Sequence, residues 1–185
     1  MRPAVWLISV LAAFSVAGCA GGNPASGPPS NGASLSTGSA SVGAFTMSSR
    51  DLASGHWPSA DTCDGSDDVP DLHWTAGPSG TVSYALQLFD PDAPNGGFTH
   101  WMLANEPADF RAPMPGTGVS GTNDFGHEGY RGPCPPKGST HRYVFTVYAV
   151  DTRLRLNVLY DHADFQKALK GHVLGQASLT ATYSR

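Results

Sequence analysis

The sequence predicts a two-layer antiparallel β-sandwich with a peripheral C-terminal helix. Most apolar runs in the chain are short, rich in β-branched and aromatic residues, and bounded by Gly, Pro, Asn or Asp, which is typical of strands. Only one segment, late in the chain, has apolar residues at helical spacing. The 185 residues include 22 Gly and 15 Pro, which favours many turns between short elements. Strands that bury one face each, with a single helix, fit two packed layers.

Residues 1–18 are predicted to be a lipoprotein signal peptide. Arg2 supplies the positive start, and Val5–Val16 forms an apolar core that is too short to span a bilayer as a permanent helix. Small residues then lead to Cys19, which we expect to be lipidated and to become the mature N-terminus. The alternative is an ordinary secretory signal with a chance cysteine near its end. Lipidation predicts an exported protein anchored to a bacterial membrane of the cell envelope.

Residues 19–43 are predicted to be the lipidated cysteine and a flexible tether. From residue 20 to residue 43 the chain has no charged and no aromatic residue, and Gly, Ser, Ala, Pro and Asn dominate. Such a composition cannot bury enough apolar surface to fold. The folded domain is therefore expected to span residues 44–185.

Within the domain the pattern predicts five strands and one helix. The strands, in chain order, are Phe45–Ser49, Thr81–Asp90, Phe98–Asn105, Tyr143–Asp151 and Gln176–Tyr183. The helix is Asp161–Leu174, with Asp161 as its cap, Phe165 and Leu169 on its apolar face, and Gly175 as its end. The stretch from Glu106 to Ser139 is rich in Gly and Pro, and we expect it to form a shaped surface loop.

The cysteine count predicts one disulfide. With Cys19 lipidated, Cys63 and Cys134 remain as an even pair in an oxidising compartment. Two unpaired buried thiols and a metal pair are the alternatives, although no CxxC spacing supports a structural zinc site.

The charge of the chain argues against nucleic-acid binding. The formal net charge is -4, and the 11 Lys and Arg residues are scattered along the sequence. A protein that binds nucleic acid normally presents a clustered basic face to the phosphates. No nucleic-acid partner is therefore expected.

Strand alternation brings four polar side chains to the ends of apolar rows. Asp90 ends the row of Tyr84, Leu86 and Leu88, and His100 shares a side with Phe98, Met102 and Ala104. His141 and Tyr143 begin the row that continues through Phe145, Val147 and Ala149. We expect Asp90, His100, His141 and Tyr143 to converge at one rim of the core. Trp101, on the face opposite to His100, is expected to pack in the core.

The residue types around this rim suit a small anion. Prolines 91, 94, 133, 135 and 136 stiffen the neighbouring loops, and stiff loops can hold a cavity open. Two imidazoles and a Tyr hydroxyl supply hydrogen-bond donors to a phosphoryl group, and a nearby Asp can orient one imidazole.

The motifs that carry these residues resemble the phosphatidylethanolamine-binding protein family. DPDAP followed by HW, then GPCPPKG and HRYVFTVYAVD, occur in the family's order, and NDFGHEGYRGPCPP is similar to its bacterial branch, called Raf kinase inhibitor-like. The resemblance extends from about residue 44 to residue 185. It implies a β-sandwich with a small pocket for phosphate-like anions.

Carried over by motif, the resemblance assigns the binding residues. It implies that Asp90, His100, His141 and Tyr143 line the pocket, with Cys134 and Pro135 in its rim. Cys134 stands where the animal proteins have Gly, and this match to the bacterial branch supports a bond to Cys63.

The expected function is binding and not catalysis. The partners would be a small phosphoryl-type anion or a phospholipid head group, the membrane through the N-terminal lipid, and in one alternative a protein. In that alternative the pocket rim engages a peptide, protease or kinase as an inhibitor. In a further alternative the protein is a hydrolase with His100 or His141 as base. Two His and one Asp also match a metal-binding triad, but tight HxH or HExxH spacing is absent, so neither a metal nor a cofactor is expected.

Overall fold

The structure, a computed structural model, describes residues 43–185. The predicted signal peptide, Cys19 and all but the last residue of the predicted tether lie outside the described residues. Within residues 43–185 no helix is both long enough and apolar enough to cross a bilayer.

Seven strands and one α-helix make up the described part of the chain. In order they are β1 (Met47–Ser49), β2 (Leu72–Trp74), β3 (Ser83–Asp90), β4 (Phe98–Pro107), β5 (Val119–Ser120), β6 (Thr140–Val150), α1 (His162–Leu169) and β7 (Val173–Ser184). Two single-turn 3-10 helices, Ser59–Asp61 and Pro94–Gly96, lie in the connections.

The strands form two antiparallel sheets. One has five strands in the order β5-β4-β3-β6-β7, and the other is the pair β1-β2. The inner face of the large sheet packs with the small sheet around one apolar core, to which Tyr84, Leu86, Phe145 and Val147 contribute from β3 and β6. On the outer face of the large sheet, α1 packs through Phe165 and Leu169. The predicted β-sandwich with one peripheral helix is confirmed.

The ends of the elements differ from the prediction where local geometry overrides pattern. The helix ends at Leu169 and not at Leu174. Gly171, with a φ of 83°, turns the chain, and Val173 already pairs with Val150 of β6. Asp161 does cap the helix, because its Oδ1 accepts a hydrogen bond from the Asp164 amide at 2.9 Å.

Two strands escaped the sequence prediction because they are very short. β2 has three residues and β5 has two. β5 lies inside the stretch that was predicted to be a loop, where it pairs with Leu103 and Ala104 of β4. A strand of two residues has no alternation to detect.

A β-bulge in β4 overturns the predicted alternation around His100. Leu88 pairs with Trp101, and the next residue of β3, Phe89, pairs with Thr99. His100 is therefore an extra residue in β4 that has no pairing partner in β3. The ring of His100 consequently contacts that of Tyr143, on the same side as the core that holds Trp101. The expectation that His100 shares a face with Met102 and Ala104, opposite to Trp101, is therefore wrong. Met102 and Ala104 belong to the helix side of the sheet, whereas Trp101 does pack in the core, as expected.

Candidate functional site

A cavity of about 240 Å³ opens where β3 ends and where β4 and β6 begin. Five of the six predicted binding residues border it: Asp90, His100, Cys134, Pro135 and His141. Its other lining residues are Ala93, Pro94, Phe98, Phe125 and Pro136. Adjacent antiparallel strands bring residues that are 51 positions apart, such as Asp90 and His141, to the same edge.

Asp90 is buried and uses both of its carboxylate oxygens. Oδ1 accepts hydrogen bonds from the backbone amides of Asp92 at 2.8 Å and Ala93 at 3.1 Å. Oδ2 accepts a hydrogen bond from Nδ1 of His141 at 2.8 Å. The carboxylate therefore closes the turn after β3 and orients the imidazole across the cavity. Asp90 therefore braces this turn through hydrogen bonds from its side chain to the backbone.

Asp92 instead fastens the turn to β6. Its Oδ2 accepts a hydrogen bond from the Arg142 backbone amide at 2.8 Å, and its Oδ1 accepts one from the Arg142 guanidinium at 2.6 Å. These bonds hold the pKa of Asp92 at about 2. The turn that carries Pro94 into the cavity wall is therefore fixed at both ends.

His100 is 3% exposed and is held by the loop opposite. Its Nδ1 lies 2.9 Å from the carbonyl oxygen of Arg131 and 3.0 Å from that of Gly132. Because carbonyls only accept hydrogen bonds, Nδ1 carries the proton, and Nε2 is left without a partner among the described residues. Burial lowers the pKa of His100 below its ordinary value, so the neutral ring predominates at neutral pH.

Tyr143 lies behind the two imidazoles. Its ring centre is 5.2 Å from that of His100 and 6.5 Å from that of His141. The side chain is 1% exposed and does not line the cavity, yet its hydroxyl has no hydrogen-bond partner within the described residues. Burial, reinforced by the nearby Asp90 carboxylate, raises the pKa of Tyr143. Its role in binding stays a prediction.

The loop that holds His100 is itself tied down by a disulfide. Cys63 and Cys134 are bonded, with their Cα atoms 5.4 Å apart. The Cys63 amide donates a hydrogen bond to the Pro133 carbonyl at 3.2 Å. Gly132 fits so closely that a Cβ on it would collide with the Asp61 carbonyl and approach Asp67 Oδ1 to 2.8 Å. Only a residue without a side chain allows this approach.

Two phenylalanines complete the cavity, and the sequence analysis did not select them as binding residues. The ring of Phe125 packs on Phe98 at 4.6 Å and on His100 at 5.2 Å between ring centres. Phe125 is 40% exposed and stands at the rim. The available signal was its position in NDFGHEGY, a Gly-rich stretch that mixes polar and aromatic residues.

Metal coordination has little support in this part of the chain. In residues 43–185 no cluster of three or more His, Cys, Asp or Glu side chains has the geometry to hold a metal ion. The Nδ1 atoms of His100 and His141 already bind protein acceptors, and the sulfur of Cys134 is in the disulfide.

Comparisons with known proteins agree with the fold and the motifs. The model of the phosphatidylethanolamine-binding protein family matches residues 48–184. A UPF0098 protein of Methanothermobacter thermautotrophicus is 44% identical over 140 residues, which are 71% of this chain and 92% of that protein. LppC of Mycobacterium tuberculosis, which carries the name of a lipoprotein, is 35% identical over 129 residues, 66% of this chain and 63% of its own.

A solved structure of a relative has the same architecture. The crystal structure of Escherichia coli YbcL superposes with a TM-score of 0.71 at 30% identity, and it covers 76% of this chain and 98% of its own. YbcL was described as a new member of the mammalian phosphatidylethanolamine-binding protein family. The family match over most of the domain and the shared fold lead to one conclusion: this chain belongs to the phosphatidylethanolamine-binding protein family.

Proposed function

We propose that this protein is a lipid-anchored, exported binding protein whose pocket holds a phosphoryl-type anion, either phosphate or a phospholipid head group. One observation carries the proposal. His100 and His141 both border the cavity, and in each ring Nδ1 is bound to a protein acceptor while Nε2 has no partner among the described residues. When both rings are protonated, their Nε2–H groups can donate hydrogen bonds to two oxygens of a single anion.

The positive charge that attracts the anion arises when these imidazoles take up protons. None of the residues lining the cavity is Lys or Arg, and the nearby Arg142 is bound to Asp92. A neutral His100 offers only a lone pair at Nε2, so it must take up a proton before it can donate a hydrogen bond to an anion oxygen. Anion binding is therefore expected to be coupled to proton uptake.

The walls of the cavity strengthen such contacts. Two phenylalanines and three prolines, Phe98, Phe125, Pro94, Pro135 and Pro136, surround the polar groups. Apolar walls lower the local dielectric, which makes a charged hydrogen bond stronger than it is in water. Rigid walls also reduce the entropy that is lost when a ligand binds.

Binding accounts for this site better than hydrolysis does. The lining residues include no Ser, Thr or free thiol that could act as a nucleophile, since Cys134 is in the disulfide. The inhibitor alternative has one favourable observation: the partly exposed Phe125 stands at the rim, where a protein partner could cover it.

The proposed location follows from the N-terminus. Cys19 follows an apolar segment and small residues, and the similar LppC carries a lipoprotein name. A single acyl chain gives only marginal membrane binding, so the two or three chains of a lipoprotein would be needed for a stable anchor.

The test is an NMR titration of residues 43–185 with the disulfide intact. The Methanothermobacter relative consists almost wholly of this domain, because the alignment covers 92% of it, so the domain is expected to fold by itself. The imidazole signals of His100 and His141 are followed while phosphate, phosphoethanolamine and zinc are added separately. Asp90→Ala is compared with Asp71→Ala, which breaks another His–Asp pair, that with His73.

Saturable shifts of both imidazoles with the phosphoryl ligands, lost in Asp90→Ala and kept in Asp71→Ala, are expected. A response to zinc alone would contradict the proposal in favour of a metal site. If neither imidazole responds while a protein partner is still captured, the rim and not the cavity is the functional surface.

A further inference from the structure

A second concave surface, the basic groove, lies between α1 and the segment before it. It has a volume of about 570 Å³ and is formed by residues 152–157 on one side and by α1 and the turn after it on the other. It shares no lining residue with the ligand cavity. Its charged lining consists of one carboxylate, that of Asp164, and four cationic side chains: Arg153, Arg155, Lys167 and Lys170.

These four cations are left without ion partners. Of the 11 Lys and Arg residues of the chain, all but Arg2 lie in residues 43–185, so four of ten gather at this one groove. None of the four takes part in an ion pair with another residue of the described domain. Elsewhere in the domain the arginines that form ion pairs do so with Asp residues: Arg50, Arg131, Arg142 and Arg185. The groove is therefore a local concentration of positive charge in a protein whose net charge is negative.

Exposed apolar side chains flank the basic groove at both of its chain ends. Val158, which follows the lining residue Asn157, is 79% exposed, and Leu159 is 55% exposed. Val173 and Leu174, which follow the lining residue His172, are 40% and 41% exposed. Cations beside exposed apolar residues are typical of surfaces that lie in a membrane interface.

The backbone holds one of these flanks in an unfavourable conformation. Leu159 has a φ of 62°, a region that branched side chains rarely adopt. Thr122 fixes it, because its hydroxyl donates to the Leu159 carbonyl at 3.1 Å and its amide donates to the Tyr160 carbonyl at 2.8 Å. Strain of this kind persists where the surrounding structure enforces it, often at sites of function. The apolar tip is thus displayed to solvent by a rigid frame.

The chain enters the described domain close to the other flank. Phe45 lies beside Gly175, because a methyl group placed on Gly175 would be 3.6 Å from Cδ1 of Phe45. Gly175 is three residues from His172 of the basic groove, a separation of about 10 Å along a strand. Phe45, near the start of the described residues, therefore lies at the end of the domain that carries the basic groove.

We propose that the basic groove and its apolar flanks dock the domain onto an anionic phospholipid surface. The cations contact the head-group phosphates, and Val158 and Leu159 enter the interface. The proposal shares with the lipid anchor only the expectation that a membrane is near, and it does not use the ligand cavity. The experiment uses the domain without its lipid, so that the basic groove is tested separately from the lipid anchor and from the anion site in the ligand cavity.

The test is co-sedimentation of residues 43–185 with vesicles of phosphatidylglycerol and phosphatidylcholine in equal parts, and with vesicles of phosphatidylcholine alone. Binding only to the anionic vesicles is expected. Arg153→Gln with Arg155→Gln should weaken it roughly thirtyfold, because each cation near such a surface contributes about 1 kcal/mol. The matched control, Arg50→Gln with Lys137→Gln, removes the same charge outside the basic groove and should bind far more tightly than the groove variant. Urea unfolding of both variants shows whether each still folds.

A further variant, Val158→Ser, should weaken vesicle binding without a loss of stability, since its side chain is largely exposed. Excess phosphoethanolamine should leave the protein on the vesicles, whereas its release would assign vesicle binding to the ligand cavity and overturn the proposal. Equal binding to both vesicle types, or an equal loss in the groove variant and its control, would also overturn it. Saturable binding of glycerol phosphate in the basic groove without any binding to vesicles would replace the proposed surface with a small-ligand site.

Discussion

One carboxylate oxygen of Asp90 accepts a hydrogen bond from Nδ1 of His141 at 2.8 Å. The other oxygen accepts hydrogen bonds from the backbone amides of the turn that follows β3. One buried side chain therefore sets both the shape of a cavity wall and the orientation of the His141 ring.

Asp90→Asn separates the two purposes. The amide oxygen can still accept from the turn amides, but the side chain carries no charge and cannot fully replace a carboxylate that accepts from His141. We expect the affinity for phosphoethanolamine to fall roughly 10- to 100-fold, since a hydrogen bond to a charged group contributes about 1.5–3 kcal/mol. Isothermal calorimetry measures this change. Asp71→Asn, which removes the charge that faces His73, is the control, and an equal loss of affinity in both variants would contradict the assignment of Asp90.

Tyr143→Phe tests the predicted role of a hydroxyl that has no partner in the described structure. If a ligand supplies that partner, the variant binds phosphoethanolamine several-fold more weakly, while its free energy of unfolding is unchanged or slightly higher. Calorimetry and urea unfolding provide the two measurements. Unchanged affinity would remove Tyr143 from the binding residues and leave it with a packing role against His100 and His141.

The stability of the domain should depend on His100 in mildly acidic solution. Burial lowers the pKa of His100 in the folded state. Below about pH 6.5 this histidine is therefore protonated in the unfolded chain while it stays neutral in the folded chain. Acid therefore favours unfolding, and the free energy of unfolding should fall by at most about 1.4 kcal/mol per pH unit through this residue. Urea unfolding at several pH values should show a smaller slope in His100→Gln. Equal slopes would show that His100 titrates normally in the fold.

Phosphate should reverse part of this behaviour. Because binding is proposed to be coupled to protonation of His100, phosphate affinity should rise as the pH falls from 8 towards 6, the range in which imidazoles gain protons. Calorimetry in buffers of different ionisation enthalpy measures the number of protons taken up. If no protons are taken up, binding is not coupled to the protonation of His100 and this part of the proposal is wrong.

Gly132→Ala should damage the site more than the sheet. The added methyl group would collide with the Asp61 carbonyl and push aside the backbone that holds His100. A loss of about 1–3 kcal/mol in the free energy of unfolding is expected, together with weaker phosphoethanolamine binding. Gly43→Ala is the matched control, because a methyl group at Gly43 meets no atom within 4 Å. Two variants of equal stability would mean that the loop adapts at no cost.

Removal of the disulfide through Cys63→Ala with Cys134→Ala should lower the free energy of unfolding by about 2–4 kcal/mol, because a loop of 71 residues is no longer closed in the unfolded chain. The affinity for phosphoethanolamine should fall as well, since Cys134 and Pro135 form part of the cavity wall. Thermal unfolding and calorimetry give the two values. Affinity that stays at the native level would show that the prolines alone keep the loop in shape.

The long strands and the position of the site could be predicted from the sequence because both depend on local pattern. β6 alternates β-branched and aromatic residues and β3 is a mostly apolar row, and three of the predicted site residues, Asp90, His141 and Tyr143, lie at the ends of these two strands. The motif resemblance then ordered these rows into a known sandwich. What followed from pattern alone was the proximity of Asp90, His141 and Tyr143.

The remainder depends on contacts between distant segments. The bulge at His100 comes from the pairing of β4 with β3, and no feature of β4 alone reveals it. The carbonyl groups of Arg131 and Gly132 that hold His100 lie 31 and 32 residues away, in a segment without regular structure. The end of α1 at Leu169 could not be predicted either. Val173 and Leu174 continue the helical spacing of apolar residues, but they pair as part of β7.

The bulge in β4 places His100 in the cavity wall without giving it a pairing partner in the sheet. Loss of the one extra residue would restore regular pairing with β3, so the strand could lose His100 and still keep its ladder of hydrogen bonds. The place of His100 in the cavity wall therefore depends on the length of β4 to within a single residue, whereas the sheet itself does not.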